Sequence, residues 1–254
     1  MIKSSQSYHT LKKQIQLSLD FVLLCCHSMP ALKGYIKAVE KGSVDKIPDP
    51  DHFKDIADYD RLKQIIPNYK KTLGRFLVLS SFSYFESYIS DVIDESFLIN
   101  GGGENFLKAV ENKRNNHFEI IASLNERTKK LREQKKKSKA AKYQNIIDEL
   151  TEVNYKFPSD LLAFYGLFQV QEKAKNMRAV DIPDVMENAF GFKMEYLEKI
   201  EFNRIRGIRN NIAHGQITEF NLSEAIQVNQ FLRDLAIRID QHMLRNFFVI
   251  ESAT

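Results

Sequence analysis

The stretch from Met194 to Gly215, MEYLEKIEFNRIRGIRNNIAHG, is the clearest guide to the architecture of this chain. Its apolar residues recur mostly at steps of three and four, which is the spacing of one buried face of an α-helix. They are Leu197, Ile200, Ile205, Ile208 and Ile212. Gly215 is suited to end such a helix, because glycine readily adopts the left-handed conformation found after helix C-termini. The stretch therefore predicts a helix that carries Arg209 and His214 near its C-terminal end.

The same helical period recurs along most of the chain. The segment Leu73–Leu98 has one apolar face, formed by Phe82, Phe85, Ile89, Val92 and Ile93. Residues 8–40 favour one or two helices, with interruptions at Pro30 and Gly34. Residues 104–155 favour a second helical region. No alternating run is long enough to build a sheet, so we predict an all-α fold, a helical bundle.

Prolines and glycines indicate where these helices break. A polar connector is expected over Lys46–Pro67, and Asn100–Gly103 is expected to end the helix before it. A further helix is predicted to start at Phe157–Asp160, and another break is predicted at Asp181–Asp184. Asn221 followed by Glu224 resembles a capping box, which indicates that a last helix begins there.

Composition indicates an ordinary soluble protein. The chain has 254 residues, 43% of them hydrophobic, and a formal net charge of +4, which suits an anionic partner without by itself indicating nucleic acid. The adjacent Cys25 and Cys26 favour free thiols in a reducing cytoplasm. The apolar run Phe21–Cys26 is too short to span a bilayer, and Met1–Gln16 lacks the pattern of a secretory signal. We therefore expect a cytoplasmic protein without a membrane segment.

Arg209 and His214 together supply the chemistry needed to cut a phosphodiester. An arginine grips phosphate through a planar fork of donors, and a histidine moves a proton near neutral pH. On a straight helix their side chains would lie about 140° apart. A distorted last turn or a second copy of the chain could bring the two groups together. The structural alternative is that Arg209 forms a surface ion pair and His214 caps the helix.

The most basic stretch runs from Arg127 to Lys142 and contains Lys129, Lys130, Lys135, Lys136 and Lys137. No aromatic residue interrupts it before Tyr143, whereas surfaces for single strands usually interleave aromatics that stack on bases. The stretch favours a solvated helix or arm. RNA-backbone binding by its lysines is the alternative, because such binding needs only a dense positive charge.

The segment Arg209–Gly215 resembles the Arg-Asn-x-x-x-His signature of the HEPN superfamily, and Phe85–Glu86 resembles an aromatic–glutamate step on an early helix of HEPN ribonucleases. The resemblance covers mainly residues 73–99 and about 157–247, and residues 1–70 have no recognised counterpart. We nevertheless expect residues 1–254 to form one HEPN-like domain. Its core helices would lie at 73–99 and 157–247, with an N-terminal helical extension at 1–70 and a basic helical insertion at 104–155.

The same resemblance implies a metal-independent endoribonuclease of a toxin or phage-defence system, acting without a cofactor as a homodimer with a composite site. Arg209 would stabilise the phosphate, His214 would act as general acid or base, Asn210 would bind the phosphate or orient the histidine, and Glu86 would hold Arg209 or His214. Gln216 stands where antitoxin-modified HEPN toxins often have tyrosine, so that form of regulation is not expected. An antitoxin or defence-system protein could still be a partner. The alternative is a non-catalytic helical module that binds RNA or nucleotide, or a scaffold.

Overall fold

The computed structural model describes residues 3–48, 59–99, 101–102, 105, 177–188 and 190–248. These residues contain no strand and form six α-helices: α1 (Gln6–Glu40), α2 (Tyr59–Ile65), α3 (Tyr69–Ile99), α4 (Ile182–Asn188), α5 (Tyr196–Ala213) and α6 (Leu222–Asn246). Short 3-10 helices at Ile66–Asn68 and Ala179–Asp181 precede α3 and α4. The prediction of an all-α fold is confirmed.

Contacts divide the chain into two compact units. The first unit comprises Met1–Leu11, Phe85–Arg206 and Asp234–Thr254, and the second comprises Lys12–Tyr84 and Gly207–Arg233. The helices α1, α3, α5 and α6 each contribute residues to both units. The predicted assignment of residues 1–254 to a single domain stays a prediction.

The core of the first unit is aromatic. Phe85 and Phe202 lie with ring centroids 6.0 Å apart, and Phe190 meets Phe247 edge-on at 5.1 Å. All four side chains are almost completely buried. Each contributes about 1.5–3 kcal/mol through removal of its apolar surface from water. The first contact joins α3 to α5, and the second joins the segment before α5 to the residue that follows α6.

The start of α1 is fixed in the same unit by two carboxylates. Asp240 of α6 accepts hydrogen bonds from the backbone N–H and the hydroxyl of Ser5. Glu95 of α3 accepts the backbone N–H groups of Gln6 and Ser7, each at 2.8 Å. The first N–H groups of a helix have no partner within the helix and carry partial positive charge, so the two carboxylates stabilise this end. Burial raises the pKa of Asp240, although the bonds from Ser5 oppose that shift.

The second unit packs α1, α2 and the first half of α3 with the end of α5 and the first half of α6. Its core is aliphatic around Phe82, with Leu77, Val78, Ile212, Val228 and Leu232 buried. One polar pair lies inside this core, where the amide of Asn229 donates to the hydroxyl of Ser81 at 2.8 Å. Because both groups are buried, leaving either unpaired would cost about 1–3 kcal/mol. The pair therefore fixes α6 against α3 at one register.

The helix α1 is continuous, so the predicted interruptions at Pro30 and Gly34 are wrong. A proline inside a helix removes one backbone hydrogen bond and costs about 3 kcal/mol. Burial of Ile15, Val22 and Ile36 along one face of α1 offsets that cost. Tertiary packing has overridden a local signal.

By length and composition alone, α1 could cross a membrane, and among the described residues it is the one helix that could. An 18-residue window of it has a mean hydropathy of 1.4 and is 11% buried. This is weak evidence, because helices of soluble proteins and signal sequences pass the same test. The apolar run Phe21–Cys26 is thus part of a longer apolar helix.

Other predicted boundaries can be compared with the structure where it describes them. The connector expected over Lys46–Pro67 contains α2 and the start of a 3-10 turn, so its second half is helical. Gly101 and Gly102 have φ of 75° and 91° directly after α3, as expected for residues that end a helix. At the predicted Asp181–Asp184 break, the chain changes from 3-10 to α-helix. The helix start predicted at Phe157–Asp160 and nearly all of the 104–155 insertion, with all five lysines, lie outside the described residues.

Candidate functional site

The end of α5 is closed by the glycine that the sequence predicts. Gly215 has φ of 73°, its N–H bonds to the carbonyl of Ile212 at 3.1 Å, and the N–H of Gln216 bonds to the carbonyl of Asn211 at 2.8 Å. These two bonds are the Schellman arrangement, in which the chain reverses and satisfies the last helix carbonyls. His214 is thereby fixed as the last residue before the reversal.

Arg209 lies one turn earlier, and Asn210 and Phe82 of the second unit are among the residues that hold it. Its Nη1 donates to Oδ1 of Asn210 at 3.0 Å, and its guanidinium carbon lies 5.5 Å from the centre of the Phe82 ring. A cation over an aromatic face gains about 0.5–2 kcal/mol, more as the site loses water. Phe82 is completely buried, so it is a fixed surface for the half-buried arginine. The guanidinium is therefore oriented before any ligand arrives.

His214 is exposed, and its imidazole makes no hydrogen bond or ion pair with the residues that the structure describes. Its backbone N–H still bonds to the carbonyl of Asn210 at 2.9 Å, which continues the regular helical ladder. The chain reverses only at Gly215. Arg209 and His214 thus stay about 140° apart around the axis of α5, as a regular helix requires.

The loop that follows His214 is seated on the first turns of α3. Arg75 donates through Nη1 to the carbonyl of Thr218 at 3.0 Å, and Lys71 pairs with Glu219 at 2.5 Å. At Gly74 the two backbones approach so closely that an added Cβ would lie 2.3 Å from the carbonyl oxygen of Phe220. Only glycine fits there. The α3 helix therefore supports Arg209 through Phe82 and the segment beyond His214 through Gly74.

A cleft of about 420 Å³ lies beside this loop in the second unit. It is lined by Cys26, Lys70, Lys71, Glu219, Phe220, Asn221, Leu222, Ser223 and Ile226. Asn221 accepts the N–H of Ser223 at 2.8 Å and so caps the start of α6, in agreement with the predicted helix start. Neither Arg209 nor His214 lines this cleft.

Glu86 and Asn210 are the other predicted site residues that the structure describes. Glu86 is half-buried on α3 and belongs to the first unit, so its predicted role beside Arg209 or His214 stays a prediction. Asn210 orients Arg209; no contact with the histidine side chain is seen among the described residues. Sequence reasoning identified Phe82 as a core residue but missed that it supports Arg209, because the pattern of a single helix does not show which distant side chain lies over it.

A second histidine shows what a structural imidazole looks like in this chain. His242 on α6 is half-buried in the first unit, where its Nε2–H donates to the carbonyl of Phe190 at 2.7 Å and its Nδ1 accepts from the amide of Asn246 at 3.1 Å. Burial lowers the pKa of His242, Arg245 lowers it further, and the bond to Phe190 opposes both. Among the described residues, no group of three His, Cys, Asp or Glu side chains could hold a metal ion.

The described part of the chain contains helices and no strand, and four residues separate Arg209 from His214 where α5 ends, as the resemblance to the HEPN superfamily implies. A sequence model of the RiboL-PSP-HEPN family matches residues 51–245, which is well over half of the chain. The chain belongs to this family. No curated protein and no solved structure matches it. Membership indicates an RNA-related, nuclease-type function at the level of the family, whose members often act on RNA as dimers.

Proposed function

We propose that this protein is a metal-independent endoribonuclease. The observation that carries the proposal is the pairing of an oriented, half-buried Arg209 with an exposed, unengaged His214 at one helix end. In the reaction, the 2′-oxygen of RNA attacks the adjacent phosphorus and the bond from phosphorus to the 5′-oxygen breaks. The products are a 2′,3′-cyclic phosphate and a 5′-hydroxyl.

Arg209 stabilises the charge that builds up on the phosphoryl oxygens. Its contact with Phe82 and its bond to Asn210 fix the guanidinium in place, so little reorganisation is needed when the transition state forms. A planar fork of donors also matches the geometry of phosphate oxygens better than a lysine would. Asn210 acts as the residue that positions this fork.

His214 moves the protons. An imidazole takes a proton from the 2′-hydroxyl or delivers one to the departing 5′-oxygen, and such positioned transfer contributes about 10²–10⁴-fold. The exposure of His214 suits this role, because a side chain already bonded to its own protein would have to give up that bond.

Two copies of the chain build one site. On one helix the two side chains point about 140° apart, so a single copy does not present both to one phosphate. In a homodimer, Arg209 of one protomer can face the partner's His214 across a shared cleft, and the two histidines can serve as base and acid. A strictly monomeric protein with full activity would contradict this composite site.

The cellular setting that we propose is a cytoplasmic toxin or phage-defence system that restrains the nuclease with a partner protein. The proposal follows from the resemblance to stand-alone HEPN ribonucleases. Lys129, Lys130, Lys135, Lys136 and Lys137 are proposed to hold the RNA backbone.

The test is cleavage of labelled RNA by the purified full chain in EDTA, next to His214→Ala, Arg209→Ala and Arg209→Lys. We expect cleavage by the parent alone, with cyclic-phosphate ends. Arg61→Ala and His27→Ala are matched controls, because both residues are exposed and lie on other helices. Equal cleavage by the His214 and Arg209 variants would contradict the site. If neither the parent nor any variant cleaves RNA but all of them still bind it, the result would favour the non-catalytic binding module.

A further inference from the structure

The helix α1 carries two apolar seams, and among the residues that the structure describes only one of them is buried against its own chain. The inner seam is buried or half-buried and consists of Ile15, Ser18, Val22, Cys25, Met29, Leu32 and Ile36. The outer seam is exposed and consists of Leu17, Phe21, Leu24, Ser28, Ala31 and Tyr35. Both seams advance in alternating steps of four and three, and they lie about 100° apart around the helix.

The inner seam is already in use. Cys25, Met29 and Leu32 line an apolar groove of about 240 Å³ with residues of α2 and α3 in the second unit. A helix that spans a bilayer on its own, without neighbouring helices, is apolar all round. Because α1 has one side committed to its own protein, the outer seam needs another explanation.

The outer seam has the spacing of a coiled-coil interface. Alternating steps of four and three keep a stripe of side chains facing a second helix. Its large members are prominently exposed: Leu17 by 60%, Phe21 by 57%, Leu24 by 63% and Tyr35 by 46%. Scattered apolar side chains on a surface need no explanation, but an ordered stripe of them indicates an interaction site.

We propose that the outer seam binds the outer seam of a second copy of this chain, with the two α1 helices antiparallel and crossing near residue 26. In that arrangement Leu24 lies against the partner's Ser28, Phe21 against the partner's Ala31, and Leu17 against the partner's Tyr35. Two-fold symmetry repeats each layer, since a contact from one position to another is matched by its reverse.

The sizes of the side chains favour this occupant and this orientation. Phe21 and Leu24 are large where the partner's Ala31 and Ser28 are small, so the layers fill space evenly, as well-packed interfaces do. A parallel pair would set Ser28 and Ala31 against themselves and leave voids. The hydroxyl of Ser28 already donates to the carbonyl of Leu24 at 2.9 Å, so Ser28 can be buried in an apolar seam without an unpaired donor.

The available area suits a stable contact between copies. Ile65 and Phe76 line the same groove as Phe21 and are 54% and 62% exposed, so they extend the seam. Six large side chains of about 150–200 Å² each, a little over half exposed, offer roughly 500–700 Å² per copy, which reaches the lower end of the ~600–1,000 Å² per partner of standard interfaces.

This contact is separate from the proposed catalytic dimer and stands without it. Cys26 lies on the opposite side of α1 from the outer seam and lines the cleft beside the loop after His214. In addition, α1 lies outside the family match at 51–245. Two different two-fold contacts on one chain generate a closed tetramer or a longer assembly.

The first test is the assembly state of the full chain, measured by sedimentation over a range of concentrations. Leu24→Glu is expected to weaken one association step at least ~10-fold, because a charge would be buried in the centre of the seam. Leu23→Glu is the matched control: Leu23 is 57% exposed but lies about 120° from the seam, and its variant should assemble like the parent. RNA cleavage and circular dichroism of both variants show that each is folded. Equal assembly of all three proteins would overturn the proposal.

The orientation is tested by disulfide formation after Cys25→Ala and Cys26→Ala. Leu17→Cys with Tyr35→Cys should cross-link two chains, and either cysteine alone should not. Cross-linking by Leu17→Cys alone would show a parallel pair and overturn the antiparallel arrangement. Flotation with vesicles of phosphatidylcholine and phosphatidylglycerol tests the membrane alternative. Binding of the parent but not of Leu24→Glu, with unchanged assembly, would assign the seam to a lipid surface and overturn the proposal.

Discussion

The side chains of His214 and His242 differ in both burial and hydrogen bonding, and the difference indicates two different roles. In the first unit, His242 is half-buried with both ring nitrogens engaged, and its environment favours the neutral form. In the second unit, His214 is exposed on a closed helix end with its ring nitrogens unengaged by any described residue. A fixed backbone with an open side chain is what proton transfer to a substrate needs, whereas a fully bonded side chain stabilises the fold.

The largest expected effect is the loss of RNA cleavage in a His214 variant, which distinguishes a catalytic histidine from a structural one. His214→Ala should lower RNA cleavage by about 10²–10⁴-fold, because a positioned proton transfer is lost. Its free energy of unfolding should change by less than about 0.5 kcal/mol, since the side chain is exposed. Cleavage assays and urea denaturation of the same preparation measure both. A large loss of stability in this variant would contradict the comparison.

Gly74→Ala tests whether the backbone beyond His214 is fixed. The added methyl group would meet the carbonyl of Phe220, so we expect a loss of stability of about 1–3 kcal/mol or more, as for overpacked sites. Gly207→Ala on α5 is the matched control, because an added Cβ there meets nothing within 4 Å. That variant should gain about 0.5–1 kcal/mol from better helix propensity. Similar unfolding curves for the two variants would argue against a close approach at Gly74.

His242→Ala should give the reverse of the His214 result. The substitution removes the hydrogen-bond donor of the Phe190 carbonyl, so we expect the free energy of unfolding to fall by about 1–3 kcal/mol. Cleavage per folded molecule should stay within about twofold, because no catalytic step uses this ring. Thermal unfolding and active-site-normalised rates distinguish the two effects. A selective loss of cleavage would remove the contrast between the histidines.

Acidification should reveal His242 in the stability of the parent protein. Because its pKa is lowered from 6.5 in the folded state, the unfolded chain binds more protons between the two values. Its contribution to stability is therefore complete above about pH 6.5 and is lost as the pH falls through the folded pKa. Denaturation of the parent and of His242→Gln between pH 5 and pH 8 measures the difference, which should shrink as the pH falls. A difference that is constant with pH would contradict the shift.

Lys71→Ala should have the smallest effect. Its pair with Glu219 is about half exposed on both sides, and exposed pairs contribute roughly 0–1 kcal/mol. Stability should therefore fall by no more than this amount, and less in high salt. A larger loss, measured in the same denaturation assay, would mean that this ion pair rather than Gly74 fixes the loop.

Much of the fold could be predicted from the sequence because the signals are local. The apolar period of Leu73–Leu98 corresponds to α3, and Gly215 ends α5 through its own backbone conformation. The continuity of α1 through Pro30 could not be predicted, since burial along the inner seam decides it. The contact of Arg209 with Phe82 could not be predicted from the spacing of residues within either helix, because it joins two helices that are far apart in the chain. The sequence indicated which residues carry the chemistry, and tertiary structure alone showed what holds the arginine.

Because α3 contacts both ends of the motif, insertions and deletions within one part of this helix should be poorly tolerated. Gly74 seats the segment after His214, and Phe82 supports Arg209 before it, so both ends of the motif rest on one short stretch of the same helix. Inserting or deleting one residue between them would turn one support by about 100° relative to the other and shift it by about 1.5 Å. We therefore expect substitutions between these two positions to be tolerated far more often than single-codon insertions or deletions.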